Sequence, residues 1–308
     1  MLNIIMYHYV RPIKGSALWR LKGLEVDAFE KQLRYLKKEY TVISPDSLVE
    51  HISYGKDLPK NSALLTFDDG YKDHIEHALP LLIKHNIQAA FYPPEEAIKG
   101  KQLLDVNAIH LVLANCSDDK AALAEVRSSM LKVGYSAAEY DSMSQSIDTR
   151  SRYDSAEAIL VKRLLQHVIP MNLRKKIIED VFLTVTGQTV SECAQNFYMN
   201  ISDLQELKRA GMHIGSHTNS HPWLSMLNPA EQFSEIDGSI RFLRGIGVLA
   251  DHWSFCFPYG DYNQETLKIL RELGCGFAIT TRPSGISIDD IRGIRQTLPR
   301  FDTNDFPQ

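Results

Sequence analysis

The chain has 308 residues, 44% of them hydrophobic and 23% charged, with a formal net charge of −4. That length can bury a sizeable core, as one large α/β domain or one domain with an insertion, and the slight acidity excludes a nucleic-acid binder working through a basic surface. Four widely spaced cysteines (Cys116, Cys193, Cys256, Cys275) form no C-x-x-C pair, which excludes a metal knuckle or a disulfide scaffold and predicts reduced thiols in a cytoplasmic protein.

Leu2 to Tyr7 reads as a buried strand with His8 at its tip. The start is apolar but short, without a basic opening or a small-residue cleavage site, so it reads as a strand and not as a signal peptide. No stretch approaches the ~20 apolar residues of a membrane span. Arg11 to Glu25 is a polar loop, expected near the mouth of a site. Asp27 to Lys38 carries Phe29, Leu33 and Leu36 on one helical face. Tyr40 to Ile43 is a strand, and Pro45 to Ile52 a helix entered through Ser44.

Ala63 to Phe67 is a short apolar strand that runs into Asp68-Asp69-Gly70. Carboxylates at such a strand end point off the sheet, where α/β folds place their chemistry. Two adjacent acids are costly unless their roles are separated. A metal does this, one carboxylate binding the cation and the other staying free as a base. Alone, the triplet reads equally well as an Asp-Gly turn with two solvated acids. Lys72 to His85 is the next helix and Gln88 to Tyr92 the next strand. This alternation argues for a parallel α/β barrel. His74, His77 and His85 read as surface or helix-packing residues, as do His51, His110, His167, His213 and His252.

Residues 97–195 break the alternation. Asn107 to Ala114, Asp119 to Val133, Ser155 to Val168 and Pro170 to Thr186 read as helices of an insertion the size of a small domain. Lys162, Arg163, Arg174, Lys175 and Lys176 interleave with apolar residues. Solvated faces of helices packed on the barrel or on a second subunit are the simpler reading than peripheral contact with a membrane surface.

Ile201 to Ala210 is a helix, and Met212 to Gly215 leads into His217-Thr218-Asn219-Ser220-His221. On a helical turn, imidazoles at this spacing face one way with Cβ atoms roughly 6 Å apart, which suits two ligands on one divalent ion. Asp69, His217 and His221 then offer one oxygen and two nitrogens, with a position left for water. Pro229 to Arg244 is an amphipathic helix. Ser254 to Phe257 is a strand delivering Pro258-Tyr259-Gly260. Gln264 to Leu273 is a helix, Gly276 to Thr280 a strand, and Gly293 to Phe301 closes the barrel with Pro299-Arg300 near its end. Tyr9, Tyr71, Trp223 and Tyr262 flank these motifs, as sugar-stacking faces or as core.

Thr66-Phe67-Asp68-Asp69-Gly70, His217-Thr218-x-x-His221 and Phe257-Pro258-Tyr259-Gly260, in that order, resemble the polysaccharide deacetylase (NodB-homology) family, also called carbohydrate esterase family four. The resemblance implies a deformed (β/α)7-type barrel with parallel strands over residues 1–96 and 196–308, interrupted by an α-helical insertion over 97–195. It implies a hydrolase that removes the N-acetyl group from an amino sugar of a bacterial surface polysaccharide or glycoconjugate. The expected cofactor is one divalent ion, zinc first, with cobalt, nickel or manganese as alternatives, on Asp69, His217 and His221. Asp68 is the expected general base, and the Tyr259 N–H the expected oxyanion donor. Met6-Tyr7-His8-Tyr9-Val10 resembles the variant with an N-terminal Tyr-His motif, which makes His8 the expected general acid. Many members carry an arginine shortly before Pro-Tyr-Gly to hold the base. Here Ser254-Phe255-Cys256-Phe257 stands in that place, and Arg300 is the candidate replacement, its other reading being a structural salt bridge. The expected partner is an N-acetylated carbohydrate, with self-association open. A silent carbohydrate-binding or scaffold protein, or an O-deacetylase or other small-amide hydrolase on the same site, are the alternatives.

Overall fold

The computed structural model describes residues 1–100 and 103–307. In chain order its strands are β1 (Leu2–Tyr7), β2 (Thr41–Val42), β3 (Ser62–Asp68), β4 (Ala90–Tyr92), β5 (His213–Ile214), β6 (Ser254–Cys256), β7 (Phe277–Ile279) and β8 (Phe301–Asp302). Every pairing between these strands is parallel. β1 and β3 match over six positions, from Leu2 against Ser62 to Tyr7 against Phe67. Both strands are apolar on both faces, as parallel strands buried on both sides require.

The sheet order β5-β4-β3-β1-β8 and the separate pair β6-β7 join into one ring. Ser216, just past β5, bridges Phe255 of β6, and Ile279 of β7 bridges Leu298, just before β8. The Cys256 N–H donates to the Ser216 carbonyl at 3.0 Å, and the Thr280 N–H donates to Leu298 at 2.8 Å. Among the described residues, seven strands thus close a deformed (β/α)7 barrel, while β2 pairs with the start of β3 off the ring. Alternate residues face the interior. Leu2 and Ile4, Leu64, Ala90 and Tyr92, Cys256, and Phe277 and Ile279 share one core cluster. The opposite face of β1 and β3 (Ile5, Tyr7, Leu65, Phe67) packs with the surrounding helices, including Phe29, Leu33 and Leu36.

Those three residues lie on α1 (Val26–Glu39), which has Asp27 in its first turn and Lys37 and Lys38 in its last, complementing the helix dipole. α2 (Pro45–Tyr54) is capped by the Ser44 side chain and stopped by Gly55 in the left-handed conformation. The helix expected over Lys72–His85 is not continuous: a π-helical turn, His74–Ala78, precedes α3 (Leu79–Lys84). Pro80 lacks the N–H that an unbroken α-helix would direct to Glu76, and the Leu79 N–H reaches the His74 carbonyl instead. α4 (Glu95–Lys99) follows β4.

The described residues fall into two compact units, 1–11 with 23–100 and 196–307, and 12–22 with 103–195. The first is the barrel. The second is helical, with α5 (Asp105–Asn115), α6 (Asp119–Lys132), α7 (Ala137–Gln145), α8 (Ala156–Arg163), α9 (Met171–Thr186) and α10 (Val190–Ala194). The stretch Pro12–Lys22, read as a polar loop, belongs to this unit. Arg20 donates to the Leu113 and Cys116 carbonyls and pairs with Asp119, and Lys22 and Lys162 both donate to Asp154. Part of the basic character read in this region is therefore spent internally. The barrel resumes with α11 (Ile201–Arg209), α12 (Pro229–Gly245) and α13 (Gln264–Glu272), each opened by a capping box, at Asn200, Asn228 and Asn263. No helix among the described residues is long and apolar enough to cross a membrane.

Gly215 lies where β5 approaches β4 and β6. A Cβ there would meet the Tyr92 ring, the Ser254 carbonyl at 2.6 Å and the Ser254 hydroxyl at 2.7 Å. Gly215→Ala should therefore destabilise the barrel by about 1–3 kcal/mol through overpacking. Urea denaturation of the variant beside the parent tests this, and an unchanged midpoint would refute it.

Candidate active site

Strand alternation puts Leu64, Thr66 and Asp68 on one face of β3, and Leu64 faces the barrel interior. Asp68 therefore ends the strand pointing inward. Arg300, entering from just before β8, is fully buried beneath it. Its Nη1 donates to Asp68 Oδ1 at 2.9 Å and its Nη2 to Asp68 Oδ2 at 2.7 Å. The remaining donors are also occupied: Nη1 on the Thr66 hydroxyl at 3.0 Å, Nε on the Thr280 carbonyl at 2.8 Å, and Nη2 on Cys256 Sγ at 3.1 Å. Burial alone would raise the Asp68 carboxyl. The Arg300 charge and its hydrogen bonds outweigh that and hold it at about 2.

Asp69 follows in the left-handed conformation, φ 70°, with Gly70 at φ 71°. This turn carries the second carboxylate away from Arg300 and toward the histidines. The Tyr71 hydroxyl donates to Asp69 Oδ2. The other oxygen, Oδ1, is buried and makes no hydrogen bond among the described residues. His217 Nε2 and His221 Nε2 face it at 3.5 and 3.4 Å.

The two histidines do not lie on a helical turn, which corrects the sequence expectation. Residues 217–221 form an irregular loop in which Thr218 (φ 66°) and His221 (φ 60°) are left-handed. Their rings meet edge to face with centroids 4.8 Å apart. β5 ends at Ile214, and Ser216 is tied to β6 through Ser254 and Cys256. Helical hydrogen bonding has no room to start immediately behind that bridge.

His217 Nδ1 donates to the Cys256 carbonyl at 2.7 Å, which orients the ring and leaves Nε2 as the nitrogen that faces Asp69. Burial pushes the His221 imidazole down to about 3, so it is neutral near pH 7. For His217, burial works in the same direction, but Cys256 and the Asp69 carboxylate outweigh it and raise the imidazole. A cation taken up between these groups would displace that proton.

The ligand atoms of Asp69, His217 and His221 all lie within 4.8 Å of one another. The buried Asp69 Oδ1 and two imidazole nitrogens make a donor set that fits a divalent transition metal.

His8, one residue past β1, places Nε2 3.9 Å from Asp68 Oδ2, with its side chain 36% exposed. Its carbonyl accepts from Nε2 of the buried His74 at 2.9 Å. Tyr259 (φ 58°) follows β6, its ring 4.6 Å from the His221 ring and stacked on Trp223 at 4.6 Å. Tyr9 stacks on Tyr71 at 4.2 Å, whereas Tyr262 packs on Phe257 of the core.

The barrel thus brings His8, Asp68, Asp69, His217, His221 and Tyr259 to the C-terminal ends of its strands, with Arg300, just before β8, beneath Asp68. Sequence reasoning missed three contacts: the Tyr71 hydroxyl on Asp69, the Cys256 carbonyl on His217 and the His74 ring on His8. Only Tyr71 carried a local signal, two residues past the aspartate it binds.

The family model for polysaccharide deacetylase matches residues 55–155 and 172–278, well over half of the chain. The YxkH protein of Bacillus subtilis (strain 168) is 30% identical over 92 residues, 30% of this chain and 33% of YxkH, so the chain matches about a third of that curated relative's length. Among solved structures, the Streptococcus pyogenes deacetylase PplD in complex with acetate superposes with a TM-score of 0.58 at 18% identity, over 98% of this chain and 91% of that one. IcaB from Ammonifex degensii gives 0.56 at 16% identity, over 98% and 91%. At such identities the two structures speak for the barrel. The family match, in contrast, runs through the strand that delivers both aspartates, the loop that delivers both histidines and the turn at Tyr259. The chain therefore belongs to the polysaccharide deacetylase family.

Proposed function

We propose that the protein is a metal-dependent N-deacetylase that hydrolyses the acetamide of an N-acetylated amino sugar in the making of a bacterial surface polysaccharide or glycoconjugate. The observation that carries this reading is the separation of two adjacent carboxylates: Asp68 clamped by Arg300, Asp69 turned toward two imidazoles with one oxygen unpartnered. Asp69, His217 and His221 would hold one divalent ion, zinc by its liking for mixed nitrogen and oxygen ligands. Such an ion supplies Lewis acidity, polarising the acyl carbonyl and making the attacking water more acidic.

This chain's own groups supply the rest. Asp68 stays ionised through the neutral range, and both its oxygens are aimed by one planar guanidinium, so it can take the water's proton as general base. The Tyr259 N–H, on a turn that a left-handed residue creates, serves the developing oxyanion. His8 gives its proton to the departing nitrogen as the C–N bond breaks. The proton on Asp68, 3.9 Å away, then restores it. Four free cysteines suit a reducing compartment, and with it an assembly intermediate as substrate more than a finished external polymer.

Acetate release from free, nucleotide-linked and oligomeric N-acetylhexosamines, with and without added zinc or cobalt, tests the reaction. O-acetylated sugars run beside them separate amide from ester hydrolysis. Metal-dependent release from an N-acetyl substrate is expected, with Asp68→Asn slowing it ~10²–10⁴-fold, the range for loss of a general base. Equal rates for parent and variant would sink the role of Asp68.

The pH dependence follows from Arg300. Its charge holds the Asp68 carboxyl below the ordinary 3.8, so the pair's contribution to stability is complete above that value and fades as pH falls through about 2. Arg300→Met removes the largest influence opposing burial and leaves only the weaker ones of His217 and His8. The carboxyl then rises, and the acid limb of kcat/KM moves to higher pH. Arg300→Lys, which keeps a charge but not the paired geometry, moves it less. Superimposable acid limbs in all three proteins would show that Arg300 does not tune Asp68.

A further inference from the structure

We infer that Glu235 is the positioning residue for the metal site proposed above: from α12 it clamps the loop between His217 and His221 and so aims the His221 imidazole. The inference rests on that reading of the site.

Thr218 and His221 both adopt left-handed backbone angles without being glycine, at φ 66° and 60°. L-residues take that conformation rarely, and it persists only where the surroundings hold it. Glu235 is what surrounds the middle of this loop. Its Oε2 accepts the Asn219 N–H at 3.0 Å and the Ser220 N–H at 2.8 Å, and its Oε1 accepts the Ser220 hydroxyl at 2.8 Å. Two successive N–H groups aimed at one carboxylate oxygen fix the 218–219 and 219–220 peptide planes ahead of His221. On either side, the Thr218 and Asn219 carbonyls accept from the N–H groups of Glu95 and Glu96 at the start of α4, at 3.2 and 2.9 Å. The Thr218 hydroxyl accepts the His221 N–H at 3.0 Å.

The ring contacts of the two histidines explain why the clamp matters more for one than for the other. His217 is oriented through its own ring, by the Cys256 carbonyl. His221 Nδ1 is buried and makes no hydrogen bond among the described residues. Metal-binding imidazoles are normally aimed by a partner on the second nitrogen. For His221 the direction comes from the backbone that carries it, with the Tyr259 ring against one side. The charged group on that backbone is Glu235.

The test measures zinc affinity of the full chain by competition with a chromophoric chelator, and the visible spectrum of the cobalt-loaded protein, which reports ligand geometry. Glu235→Ala should weaken zinc about 10–100-fold, the usual effect of removing an orienting partner, and should shift the cobalt bands. Glu235→Gln keeps one oxygen able to accept both backbone N–H groups, so it should recover most of the affinity. Asp69→Ala, which removes a ligand, should abolish tight binding. If Glu235→Ala binds zinc within about twofold of the parent with an unchanged cobalt spectrum while Asp69→Ala does not bind, the inference is wrong and the metal site stands. If Asp69→Ala also binds like the parent, the metal reading fails and takes the inference with it. The melting temperature of each metal-free variant separates loss of aim from loss of fold. Should Glu235→Ala not fold, the Glu235→Gln/Ser220→Ala pair carries the test, with a loss of at least about threefold expected and none overturning it.

Discussion

A buried ion pair, Asp68 with Arg300, is the constraint on which the rest of the site depends. A guanidinium with no solvent access is strongly destabilising unless its donors are satisfied. Here they meet Asp68 twice, the Thr66 hydroxyl, the Thr280 carbonyl and the Cys256 sulfur. Those partners belong to three stretches of the ring, β3, β6 and the end of β7, and Arg300 itself comes from a fourth, just before β8. The charge is compensated only once the barrel is closed. Closing the barrel and keeping Asp68 ionised are therefore one event.

Backbone strain is concentrated at the candidate site. Of the six non-glycine residues with positive φ among those described, Asp69, Thr218, His221 and Tyr259 belong to this site, each at a cost of order 1–3 kcal/mol. All four lie just past strand ends, where the parallel sheet stops dictating the chain's direction. Each turn does one job. The turn at Asp69 sends neighbouring carboxylates to different partners, those at Thr218 and His221 bring two imidazoles to one oxygen, and the turn at Tyr259 brings its ring against His221. The barrel's core and helices supply the stability that tolerates this.

The ends of the strands also tie the site's segments to one another. His74 opens a π-helical turn five residues after Asp69, and its ring reaches back to the His8 carbonyl. Arg11 pairs with Asp73 of the same segment and lies over the Tyr9 and Phe197 rings. The stretch carrying His8 and the stretch carrying the two aspartates are thus braced through a second set of contacts beyond the β1–β3 ladder. A widened turn re-aims a side chain without breaking the helix that follows.

Much of the barrel was legible in the chain. The apolar runs before Asp68 and His8, the alternation of short strands with amphipathic helices and the helix entry at Ser44 are local, and local rules carry them. Period-two alternation is enough to put Asp68 on the same face as Leu64. Position in sequence is a poor guide to the rest. The spacing of His217 and His221 suggested a helical turn, because periodicity cannot see that Ser216 is already bridged to the neighbouring strand. Lys72–His85 looked continuous, because the pattern does not register the N–H that Pro80 lacks. By itself, then, the sequence determined which residue types end the strands, and with them the carboxylates and imidazoles available for chemistry. Only the tertiary structure decided that Arg300 lies under Asp68, that Cys256 orients His217 and that Glu235 holds the loop between the histidines. Those partners are separated by tens to hundreds of residues, and closure of the barrel is what brings their charges and hydrogen bonds within reach.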